Sequence, residues 1–121
     1  MKLKVKIAGP KVHDVGYRCF LMSMAFSNGI RMFAAPNAEG CDGEEVLVYV
    51  DGDEEAVNAF RAQVNTKRPI SSEVSNIIFD DFEGDVMNIV EYAQFCSTIP
   101  LNKVIVALRN EKLSQRGTEN H

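Results

Sequence analysis

Lys2, Lys4 and Lys6 alternate with Leu3, Val5 and Ile7 at the start of the chain. That period of two puts one face of a strand in a core and the other in water. Gly9–Pro10 ends the strand. From Arg18 to Asn28 the period changes. Phe20/Met24 and Leu21/Ala25 fall four apart, predicting a helix that closes at Asn28–Gly29. A second strand is expected from about Ile30 to Ala35. The polar, glycine-bearing stretch Asn37–Glu44 is expected to be a long hairpin loop, leading to a central strand over Glu45–Asp51. Asp53 stands at a cap position, Glu54 and Glu55 suit a first turn, and Val57, Phe60 and Val64 share one face. They predict a second helix, closed by Lys67 and Arg68 before Pro69. Glu73–Phe82 reads as a last strand with Val74, Ile77 and Phe79 turned inward.

The order β-α-β-β-α-β packs economically as a four-stranded antiparallel sheet with two helices on one face. This is the ferredoxin-like α+β arrangement, expected over residues 1–84. Beyond it, Val86, Ile89, Val90 and Ala93 recur at helical spacing, as do Leu101, Val104, Ile105 and Leu108 after Pro100. Residues 85–121 are therefore expected to form a helical extension, packed on the domain or on a second copy as a homodimer contact.

Composition narrows the function classes. The 121 residues suit one domain with a modest core. A net charge of −4 with scattered lysines and arginines argues against nucleic acid as a partner. No apolar run approaches a membrane span, and the alternating N-terminus is unlike a signal peptide, so a cytoplasmic location is expected. Cys19, Cys41 and Cys96 are odd in number and lack ligand spacing, so neither a metal site nor a disulfide framework is expected.

The chemistry points to Val12-His13-Asp14-Val15-Gly16-Tyr17-Arg18, between the first strand and the first helix. Backbone N–H groups at a helix start lack intrahelical partners, and the helix dipole there favours negative charge. Gly16 permits a turn and a close backbone approach. Arg18, a cation at the positive end of a helix, is poorly placed unless an anion sits beside it.

These residues resemble the acylphosphatase signature Val-Gln-Gly-Val-Gly-Phe/Tyr-Arg at Val12, Val15, Gly16, Tyr17 and Arg18. The resemblance runs on through Ala25 and Gly29, Asp51-Gly52-Asp53-Glu54-Glu55 with Phe60, and Pro69, Ser72 and Val74. It implies hydrolysis of acyl phosphates to a carboxylate and inorganic phosphate, with no cofactor. The loop formed by His13, Asp14, Val15, Gly16 and Tyr17 would hold the phosphoryl oxygens together with Arg18. An asparagine on the second strand would orient the attacking water.

Two departures bear on that reading. His13-Asp14 replaces Gln-Gly, which brings a carboxylate to the cradle; both side chains are expected to be solvated. Counted from Arg18, the asparagine position falls on Pro36, with Asn37 next to it. A one-residue bulge at the proline would bring Asn37 into place, making Arg18 and Asn37 the catalytic pair. Alternatively Asn37 is a turn residue, and the domain is a non-catalytic acylphosphatase-like module for binding or assembly.

Overall fold

A computed structural model describes residues 1–40 and 43–95. The elements are β1 (Lys2–Gly9), α1 (Tyr17–Ser27), β2 (Met32–Ala34), β3 (Asn37–Gly40), β4 (Gly43–Asp51), α2 (Glu54–Thr66), β5 (Asn76–Asp81) and α3 (Ile89–Phe95). The strands pair antiparallel in the order β2-β4-β1-β5, and β3 also pairs with β4. This is the expected α+β, ferredoxin-like scaffold.

The alternation read from the sequence sets the two faces. Leu3, Val5 and Ile7 of β1 and Val46, Val48 and Val50 of β4 are buried together with Leu21, Ala25 and Phe26 of α1. Val57, Phe60 and Val64 complete the same core and are fully buried. Burying such a side chain contributes roughly 1.5–3 kcal/mol, so the apolar stripe, more than helix propensity, docks α2. Asp53 occupies the N-cap position of α2, but its carboxylate makes no capping bond. At the other end of α1, Gly29 has φ +84°, the Gly29 N–H donates to Phe26 O and the Ile30 N–H donates to Ala25 O. That pair of bonds is a Schellman closure, the stop signal read from Asn28–Gly29.

The expected loop over 37–44 is instead a strand pair. Asn37, Ala38, Glu39 and Gly40 pair with Val46, Glu45, Glu44 and Gly43, continuing the line of β2 along the same edge of β4. No apolar alternation marks this stretch, because it projects beyond the core. β2 and β3 are separated at Ala35–Pro36, where the proline supplies no N–H to the ladder.

After β5 the chain runs over the open face of the sheet. The Phe82 ring rests on Tyr49 with centroids 4.9 Å apart, and Lys2 Nζ donates to Gly84 O at 2.8 Å. It reaches the outer edge of β2, where the Phe33 N–H donates to Met87 O and the Ile89 N–H to Arg31 O. α3 then packs beside β2 with Ile89, Tyr92 and Ala93 buried. The described part of the extension thus lies on the domain itself. Leu101, Val104, Ile105 and Leu108, the stripe invoked for a dimer, lie outside the described residues. No helix among the described residues is long and apolar enough to cross a membrane.

Candidate phosphate-binding site

The loop between β1 and α1 is pinned at its start. Lys11 and Glu73 exchange backbone hydrogen bonds, and Val12 is almost wholly buried. Glu44, near the start of β4, then reaches across, and its Oε1 accepts the N–H groups of Val12 at 3.0 Å and His13 at 2.9 Å. These two bonds, the His13 contribution first, hold the Glu44 carboxyl below the usual carboxylate range. The His13 ring is 13% exposed; its Nε2 hydrogen-bonds Glu45 O at 2.8 Å and its Nδ1 lies 4.0 Å from Glu44 Oε2. The expected solvated His13 is therefore a brace between loop and sheet. Its backbone N–H is committed to Glu44, away from any anion.

Past His13 the backbone turns twice through left-handed conformations, at Asp14 (φ 58°) and Gly16 (φ 77°). Asparagine and aspartate tolerate that region better than other non-glycine residues. The N–H groups of Asp14, Val15, Gly16, Tyr17 and Cys19 have no intramolecular acceptor among the described residues. Successive unpaired amides in such a turn, opening onto a helix start with no acidic side chain in its first turn, are an arrangement that suits a small anion.

A hollow of about 100 Å³ lies there, lined by Val12, Asp14, Gly16, Tyr17, Arg18, Cys19 and Asn37. That volume has room for an oxyanion of a few heavy atoms. Arg18 and Asn37 therefore share one hollow; His13 and Val15 do not line it. Val15 is half-buried against the core.

Asn37 arrives there without the expected bulge. Met32, Phe33 and Ala34 pair with Asp51, Val50 and Tyr49, and Asn37 pairs with Val46, so no residue is inserted between β2 and β3. With the pleat unbroken, Phe33, Ala35 and Asn37 share the helix-facing side, and Pro36 faces away. Phe33 and Ala35 are buried, whereas Asn37 lies just beyond the core, where the hollow begins.

The exposed Asp14 carboxylate makes no hydrogen bond or ion pair among the described residues, although it borders the hollow. Tyr17 is buried, and burial pushes its phenol pKa up. Its hydroxyl makes no hydrogen bond in good geometry; the nearby Arg68 guanidinium only partly offsets the shift. Arg18 Nη1 donates to the hydroxyl of Tyr92 at 3.5 Å. Among the described residues, no group of three or more His, Cys, Asp or Glu side chains is placed to hold a metal ion.

Sequence patterning missed Glu44 and Tyr92. Glu44 meets the loop only because β4 pairs with β1 in the register Gly9↔Glu44. Tyr92 belongs to the last described helix, adjacent to the Ile89 and Ala93 positions that the helical spacing did mark.

The fold is a ferredoxin-like sheet with an arginine-lined hollow at the first strand-to-helix turn. The Acylphosphatase family profile matches residues 3–96, and the chain belongs to that family. The acylphosphatase from Bacillus subtilis superposes with a TM-score of 0.52 at 25% identity, over 73% of this chain and 94% of that one. Full-length HypF, in its phosphate- and nucleotide-bound form, superposes with a TM-score of 0.51 at 20% identity. That likeness covers 69% of this chain and 10% of HypF, and it concerns the fold alone. No protein of curated function matches the chain in sequence.

Proposed function

We propose that this protein hydrolyses acyl phosphates to a carboxylate and inorganic phosphate, with Arg18 and Asn37 as the catalytic side chains. The observation that carries the reading is the convergence of the Arg18, Asn37 and Asp14–Tyr17 segments on one hollow sized for an oxyanion.

In this reading the N–H groups of Asp14 to Tyr17 and the Arg18 guanidinium hold the phosphoryl oxygens. The Asn37 side-chain amide takes a water on the opposite side of phosphorus. Asparagine has no basic group, so it orients the water and does not deprotonate it. The water oxygen forms a new bond to phosphorus, and the bond from phosphorus to the acyl oxygen breaks. The carboxylate leaves with its electron pair, and the water's protons pass to phosphate and solvent. Because the carboxylate is a good leaving group, positioning and charge stabilisation supply the catalysis without a strong base. The reading includes a cytoplasmic setting.

The test is hydrolysis of a small acyl phosphate by the purified protein and by Arg18→Ala. The parent is expected to turn over, and the variant to lose about 1,000-fold in kcat/KM. An inactive parent, or equal activity in the two, overturns the reading and leaves the non-catalytic binding module.

A further inference from the structure

We infer that Tyr92 is the positioning residue for Arg18, so that α3, far along the chain from the loop, completes the proposed anion site. The inference rests on the phosphate reading above and adds a residue to it.

The Tyr92 ring is 4% exposed and meets the edge of Phe33, with centroids 5.9 Å apart and planes at 72°. Phe33 lies on the same side of the β2–β3 line as Asn37. One side chain therefore leans on β2, in line with the β3 strand that carries the asparagine, while its hydroxyl meets the arginine. Its own placement is fixed by hydrogen bonds. Residues 31–33 and 87–89 are joined by Phe33 N–H to Met87 O and Ile89 N–H to Arg31 O. Asn88 Oδ1 accepts the Val90 N–H, and Asn88 O accepts that of Tyr92. The phenol thus stands at a set height beside β2.

The chemistry of the contact suits an anion site. A guanidinium carries five N–H donors and much rotamer freedom, and ordering it on binding opposes affinity. A phenol oxygen accepts one N–H without cancelling the positive charge, as a carboxylate would. It therefore narrows the arginine's positions and leaves its attraction for phosphate in place. The 3.5 Å separation is long, as contacts in ligand-free sites commonly are before they tighten on the ligand.

The experiment uses Tyr92→Phe, which keeps the ring on Phe33 and removes only the hydroxyl. Inorganic phosphate is titrated into the full chain while NMR follows the Arg18 Nε–H and the amides of Asp14 to Tyr17. Tyr92→Phe is expected to raise the phosphate Kd, and the KM for a small acyl phosphate, by about 3- to 10-fold, with a smaller change in kcat. In an Arg18→Ala background the same change is expected to do nothing further. A purely structural role would weaken binding equally in both backgrounds and overturns the inference. So does an unchanged Kd in Tyr92→Phe while the parent binds phosphate, an outcome that leaves the phosphate reading standing. A parent whose Arg18 and loop signals ignore phosphate overturns the phosphate reading, and the inference falls with it.

Discussion

The Leu47 N–H donates to the Pro36 carbonyl at 2.9 Å, carrying the pairing of β4 through a residue that has no N–H of its own. A proline inside a strand is tolerated at a sheet edge, and this one lies in the edge line formed by β2 and β3. Because the register does not slip there, side chains keep alternating, and Asn37 rather than residue 36 faces the hollow.

That geometry makes a sharp test of position. Asn37→Ala is expected to lower kcat by about 100-fold or more. The double variant Pro36→Asn/Asn37→Ala, which puts an asparagine at the count from Arg18 that the signature resemblance implies, is expected to stay as slow. Recovery of activity in the double variant would mean that residue 36 faces the reaction.

Asp14 opposes anion binding by its charge. At about 5 Å and an effective dielectric near 20, one carboxylate repels a phosphate charge by about 3 kcal/mol, and solvent exposure reduces this substantially. Asp14→Asn keeps a residue that accepts positive φ and removes the charge. It is expected to tighten phosphate binding several-fold at low salt, with the gain shrinking as salt rises. Isothermal titration at two ionic strengths checks this; a gain independent of salt would point to loop geometry instead of charge.

Glu44 ties the loop to the sheet most strongly when ionised. Its folded pKa is depressed, so its contribution is complete above the ordinary value of 4.5 and is lost as pH falls through the lower folded value. Glu44→Gln is expected to melt below the parent at neutral pH, with the difference closing in acid. Thermal melts from pH 7 down to pH 3 measure this. Parallel curves would remove the carboxylate from the account.

The Tyr17 hydroxyl is buried and, among the described residues, makes no hydrogen bond in good geometry. Removing an unsatisfied polar group from a core is expected to be neutral or to stabilise by up to about 1 kcal/mol. Urea melts of Tyr17→Phe read this directly, and a loss beyond about 1 kcal/mol would mean that Arg68 bonds the phenol in solution.

Much of the scaffold was legible because it is written in local periods. The lysine alternation of β1, the Val57/Phe60/Val64 face of α2 and the Asn28–Gly29 stop each fix an element from adjacent residues. The curl of the loop before α1 was legible for the same reason, since its left-handed turns and the helix start are contiguous. The rest depends on pairing across the chain. The Asn37–Gly40 strand is polar because it overhangs the core, so no alternation announces it. The placement of Asn37 needed the register of β2–β3 against β4, and the bulge expected at Pro36 came from counting along one strand alone. His13 was expected in solvent because its partners, Glu44 and Glu45, are distant in sequence and meet it only through the Gly9↔Glu44 pairing.

The crossing of the open sheet face after β5 has a consequence for biosynthesis. The loop after β1 and then β2 leave the ribosome before β4, whereas residues 87–89, which close the outer side of β2, follow only after β4, α2 and β5. Until then β2 is an unguarded strand edge in a nascent polypeptide, open to pairing with neighbouring chains. Closure of the outer edge of β2 and delivery of Tyr92 to Arg18 thus happen together, after the other strands have been made.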